Sequence, residues 1–165
     1  MIEHPEAVTI AEQIDATLGG KRIASAMRGN TPHKWAFYSR PAEEYASILK
    51  GKTIAGAESS GSLILIRVGK SHVIVLGGGG ERIRYHAPGE PPPTKHQLLL
   101  NFDDESMLSV KVQGWGSCQL WTHAELDRHG WYANRSLSPT DEGFTFDYFD
   151  SLFDTLKTDA AASIK

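Results

Sequence analysis

The sequence predicts a mainly β protein, a two-layered antiparallel β-sandwich or pseudo-barrel flanked by helices. Three observations carry that expectation. Seven short runs with strand character follow one another between Lys52 and Trp121, turn signals separate them, and no long helical pattern interrupts them. Parallel sheets need helical crossovers of a dozen or more residues, so closely spaced strands point to antiparallel layers.

Each element has a local cause. Pro5 and Glu6 open a helix, because proline gives up no hydrogen bond in the first turn and a carboxylate there meets the positive end of the macrodipole. Ala7, Ile10, Ala11, Ile14 and Leu18 mark its apolar face, and Gly19-Gly20 stops it. A strand at Arg22–Met27 and a second helix, Pro41–Lys50 closed by Gly51, come next. The seven strands are Thr53–Glu58, Ser62–Val68, His72–Leu76, Glu81–His86, His96–Phe102, Leu108–Gln113 and Cys118–Trp121. Residues 68–71 and 103–106 read as hairpin turns, and 87–94, with four prolines, as a stiff excursion that cannot join a ladder. Thr122 with Glu125 forms a capping box for a short helix ending at Gly130. After a polar loop over 134–143, a last helix, 144–156, carries a stripe of Phe146, Phe149, Phe153 and Leu156.

Composition narrows the class. A chain of 165 residues, 40% hydrophobic and 22% charged, suits one globular domain. One cysteine, Cys118, excludes an internal disulfide framework and a cysteine-built zinc site, so no zinc is expected, and it points to a reducing, cytoplasmic compartment. No apolar run approaches the ~20 residues of a membrane span. Net charge is -3, with six acids and one base over residues 141–159, so the body is nearly neutral and the tail acidic. That balance neither demands nor forbids a phosphate-bearing partner. The seven histidines show no ligand spacing, and no metal or other cofactor is expected.

Several features have two readings. Glu3 serves either as a helix cap or as a site acid. The run Gly77–Gly80 could cradle phosphate through its N–H groups, yet it lacks the Gly-Lys-Ser/Thr of a P-loop and reads first as a flexible hairpin tip. Trp115, Trp121, Trp131 and Tyr132 could stack bases or fill the core.

The beginning of the chain, Met1-Ile2-Glu3-His4-Pro5-Glu6-Ala7-Val8-Thr9-Ile10, resembles the N-terminus of the formamidopyrimidine-DNA glycosylase and endonuclease VIII family, Met-Pro-Glu-Leu-Pro-Glu-Val-Glu-Thr-Ile. Further similarity lies in Leu49-Lys50-Gly51-Lys52-Thr53-Ile54, in Leu76-Gly77 with Gly80, in Lys95-His96 and in the stretch 137–146. The resemblance implies a glycosylase-type N-terminal β-sandwich over residues 1–135, with 136–165 a linker and helix leading toward a C-terminal half absent from the chain. It implies base-excision DNA repair, damaged duplex DNA as partner, Glu3 as proton shuttle, and DNA contacts from Lys95, Trp115, Gly77 and Gly80.

The same resemblance exposes departures. Family members attack the sugar carbon C1′ with an N-terminal proline amine. Ile2 occupies that position and lacks the secondary amine, so it is not expected to act as nucleophile. Ser62 stands where a lysine is expected, Val75 where a histidine is, and Val112-Gln113-Gly114-Trp115-Gly116 replaces Asp-Pro-Arg-Arg-Phe-Gly. The intercalating methionine falls within the glycine run. The expected protein therefore keeps the scaffold with impaired catalysis. The alternative is a non-catalytic module that binds damaged or structured DNA, or a protein.

Overall fold

Proline and a carboxylate do start the first helix, and the strands follow in the expected order. The computed structural model describes residues 1–133, 135–139 and 141–158. Two units are distinguishable, Met1–His129 and Gly130–Lys165. In the first, α1 (His4–Leu18) is followed by β1 (Ile23–Arg28), β2 (Ala36–Phe37) and α2 (Ala42–Leu49). Then come β3 (Ile54–Ser60), β4 (Leu63–Val68), β5 (His72–Gly77), β6 (Glu81–His86), β7 (Leu98–Phe102), β8 (Met107–Val112), β9 (Gly116–Thr122) and α3 (His123–Arg128).

The strands form two layers. One sheet has the order β1-β7-β8-β6 and is antiparallel throughout; the other runs β2-β9-β5-β4-β3 and is antiparallel except where β2 lies parallel to β9. A single apolar cluster joins them. Ile64, Ile66, Ile74, Leu76 and Leu120 supply it from the five-stranded sheet, and Ile23, Leu98, Leu100, Leu108 and Val110 from the four-stranded one. Alternation along each strand sends one set of side chains inward. Ala7, Ala11, Ile14 and Leu18 bury one face of α1, which packs on β3 and β4. Asp15 fixes that docking by accepting the Ala57 N–H at 2.9 Å.

Helix α2 packs on β1 and inserts Tyr45, fully buried, whose hydroxyl donates to the Cys118 carbonyl at 2.5 Å. Burial pushes the Tyr45 phenol up to about 12 and raises the Cys118 thiol strongly, so both stay protonated and inert.

The capping box at Thr122 is present: Glu125 Oε2 accepts the Thr122 N–H at 2.8 Å and Thr122 Oγ1 accepts the Glu125 N–H at 3.2 Å. Glu125 also pairs with Arg40, which donates Nε to the Leu120 carbonyl at 3.0 Å. The Thr122 N–H first, then Arg40, hold the Glu125 carboxyl down to about 2 from its ordinary 4.5. A depressed carboxyl stabilises above its unfolded pKa and stops doing so as pH falls through the folded one. Urea melts should therefore show a stability loss between pH about 4.5 and 2 that Glu125→Gln removes, worth under about 1 kcal/mol because the group is half in water.

The second unit contains α4 (Gly130–Ala133) and α5 (Phe146–Thr158). Phe149 stacks edge-on with Phe153, their centroids 5.0 Å apart. The side chains of Trp131 and Leu156, and all of Asn134 and residues 159–165, lie outside the described residues.

Two expectations need correction. Gly77–Gly80 is no hairpin tip: β5 and β6 belong to different sheets, and the run is the crossover between them. Residues 36–37, left without an element by pattern alone, form β2, because their partner is the distant β9.

Candidate functional site

Strand polarity gathers one set of chain segments at one end of the sandwich. In the four-stranded sheet, antiparallel pairing puts the last residue of β1, the first of β7, the last of β8 and the first of β6 side by side. In the five-stranded sheet the same logic brings together the starts of β2 and β9, the end of β5, the start of β4 and the end of β3. Three connections pass between the sheets at this end: residues 29–35 from β1 to β2, and two crossovers, 78–80 from β5 to β6 and 113–115 from β8 to β9.

Those two crossovers touch backbone to backbone. Gly80 donates its N–H to the Trp115 carbonyl and accepts the Gln113 N–H, each at 2.8 Å. A Cβ at Gly80 would lie closer than 3.0 Å to the Gln113 carbonyl oxygen, and one at Gly79 closer than 3.0 Å to that of Trp115. Gly77, at φ +105, accepts the Ser117 hydroxyl on its carbonyl at 3.1 Å. Glu81 closes the joint: it is buried, and its carboxylate accepts N–H groups from Gly79 at 3.0 Å and Ser117 at 2.6 Å. Five hydrogen bonds, two of them backbone to backbone, thus hold the joint.

The chain's beginning joins the same end. Ile2 is buried in the core cluster, and its N–H donates to the Gly79 carbonyl at 2.9 Å. His4 donates from Nδ1 to the Gly61 carbonyl at 2.9 Å. Glu3 caps α1 in extended conformation, exposed, with its own N–H bonded to Glu6 Oε2 at 2.9 Å. A groove of about 660 Å³ beside it is lined by Met1, Ile2, Glu6, Arg82, Arg84 and Gln113 among others. Arg82 donates from Nε to Gln113 Oε1 at 2.7 Å.

The structure thus brings together Ile2, Glu3, Gly77, Gly80 and Trp115. Lys95, exposed, precedes β7 at the same end of the four-stranded sheet. Among the aromatic residues singled out above, Trp115 is 49% exposed. Trp121 belongs to the packing, edge-on to His129 at 5.1 Å with its Nε1 on Gln119. Tyr132 lies in the second unit with the Arg135 guanidinium 3.7 Å from its ring. His86 and His96 are buried, and among the described residues no cluster suits a metal ion.

Sequence reasoning missed three residues here. Glu81, a charged residue opening a strand, looks like a solvated one. Trp35 immediately precedes the two-residue β2 and Phe37 is its second residue, and the only signal was their spacing of two around Ala36.

Chemically, the position of the expected nucleophile holds Ile2, which lacks a secondary amine and, with Met1 attached, presents a peptide N–H that already has an acceptor. An amide nitrogen has no basic lone pair with which to attack a sugar carbon. Glu3 and Glu6 together make the α1 N-terminus unwelcoming to phosphate.

These features define a class, a two-sheet β domain whose leading helix, glycine crossover and aromatic crossover meet at one end. The chain belongs to the formamidopyrimidine-DNA glycosylase family, because residues 1–113 match the model of the Formamidopyrimidine-DNA glycosylase N-terminal domain. It is 26% identical to a formamidopyrimidine-DNA glycosylase of Acidiphilium cryptum, covering 99% of this chain and 58% of that protein. One of Exiguobacterium sp. is 25% identical, covering 97% and 58%. The chain thus spans somewhat over half the length of the curated relatives it matches. The fold matches the Lactococcus lactis Fpg in complex with DNA containing an abasic site, at TM-score 0.63 and 20% identity, over 74% of this chain and 45% of that one. Among the described residues no helix is long and apolar enough to cross a membrane.

Proposed function

We propose that this chain is a formamidopyrimidine-DNA glycosylase-like component of base-excision DNA repair that holds damaged duplex DNA and has lost the lyase chemistry. The observation that carries the second half is isoleucine at position 2, which offers no secondary amine and whose side chain is buried in the core cluster. Glu3 would then remain as a proton-transfer group with no amine beside it. Lys95 and the Trp115 crossover supply the DNA contacts, with the backbone of Gly77 and Gly80 shaping the loop that faces the duplex. Residues 1–135 act as the lesion-facing β domain and 136–165 as linker and helix leading away from it. No metal or cofactor is needed in this reading. The buried, protonated Cys118 suits a cytoplasmic setting.

Borohydride trapping on abasic duplex DNA tests it. The expected result is a mobility shift without a covalent adduct. An adduct that disappears in Glu3→Gln would overturn the loss of catalysis, and absence of any shift would remove DNA as partner.

A further inference from the structure

Trp35, in the turn that leads into β2, and Phe37, the second residue of β2, line one groove together. Parallel pairing of Ala36 with Gly116 brings Trp115 alongside, and the Gly116 N–H donates to the Trp35 carbonyl at 2.9 Å. Gly114, at φ +74, makes the turn that delivers Trp115 there. The three rings are 52%, 47% and 49% exposed and line an open groove of about 510 Å³. Lys34 stands at its rim with Nζ 5.0 Å from the Trp35 ring centroid.

We infer that this groove is a stacking platform for unpaired nucleobases of single-stranded DNA, with Lys34 meeting the adjoining phosphate. The inference deepens the DNA-binding reading above, on which it rests for the identity of the polymer. Flat aromatic faces bordered by a cation match a base with its phosphate, since every base offers a π-face and every phosphate a negative charge. A protein partner fits less well. Three half-exposed rings offer a few hundred Å², well short of the ~800 Å² per partner of a specific protein interface. The groove's lining holds no carboxylate to repel the strand. Phe37 sits on the edge strand of the five-stranded sheet and Trp35 just before it, so a nucleic-acid strand can approach without displacing any element.

Fluorescence anisotropy with labelled oligothymidine tests this on the full chain, beside an abasic duplex as a separate arm. Trp35→Ala and Phe37→Ala should each weaken oligothymidine binding about tenfold, while Trp35→Phe, which keeps a stacking face, should stay near wild type. Circular dichroism checks that the variants fold. Failure of oligothymidine to bind, or unchanged affinity in both alanine variants, overturns the platform. A dimer in sedimentation that Trp35→Ala dissolves also overturns it, by assigning the groove to a second copy. Binding of oligothymidine without binding of the duplex sustains the platform and removes the repair reading; the reverse result does the opposite.

Discussion

Glu81→Ala is expected to destabilise the chain by roughly 3–4 kcal/mol, since hydrogen bonds to a charged acceptor contribute about 1.5–3 kcal/mol each. The carboxylate accepts two N–H groups, from Gly79 on the glycine crossover and from Ser117 near the start of β9. Removing it leaves a buried amide at Gly79 without a partner, and water has little access to replace it. Glu81→Gln should fall between: its carbonyl can keep one acceptor bond, while its amide group opposes the other N–H. Chemical denaturation of the three proteins checks the order. Equal stability of Glu81→Ala and wild type would show that the joint is held by the backbone bonds alone.

Gly80→Ala should cost roughly 2–4 kcal/mol, in the range of overpacking plus a lost backbone bond. The added methyl would meet the Gln113 carbonyl oxygen, which is backbone and cannot rotate aside. Relief requires the crossovers to separate, breaking the two 2.8 Å bonds between residue 80 and residues 113 and 115. The melting temperature should fall by about 5–10 °C. Gly130→Ala, with nothing near its Cβ, is the control and should leave it within a degree or two. A Gly80→Ala protein melting with the control would mean that the close approach is not tight in solution.

Much of this architecture could be read from residue order. The strands β3 to β9 were legible because each is a run of five or more strand-forming residues, continuous or alternating, between turn residues, and the α1 and α3 starts because proline and the Thr122–Glu125 pair act locally. What stayed hidden depends on partners far along the chain. Nothing local says that β6 leaves the sheet of β5, or that two residues at 36–37 pair with a strand eighty positions later. The glycine run announced freedom of φ, whereas Gly79 and Gly80 serve chiefly to let backbone lie against backbone. At the candidate site, Ile2 and Glu3 were legible through resemblance. Trp35 and Phe37 were not, since three residues are too few to establish a period.

The glycine crossover also limits which evolutionary routes remain open to this chain. At Gly77, Gly79 and Gly80 a side chain would strike main-chain atoms, leaving Gly78, whose added Cβ would rest 3.6 Å from Leu63, as the roomy position, though its φ is +80. A lineage acquiring a large side chain in this run would therefore have to reshape the loop before the new residue gave any benefit. Such sign epistasis makes the present state a ratchet: single substitutions lead downhill, and recovery demands several at once.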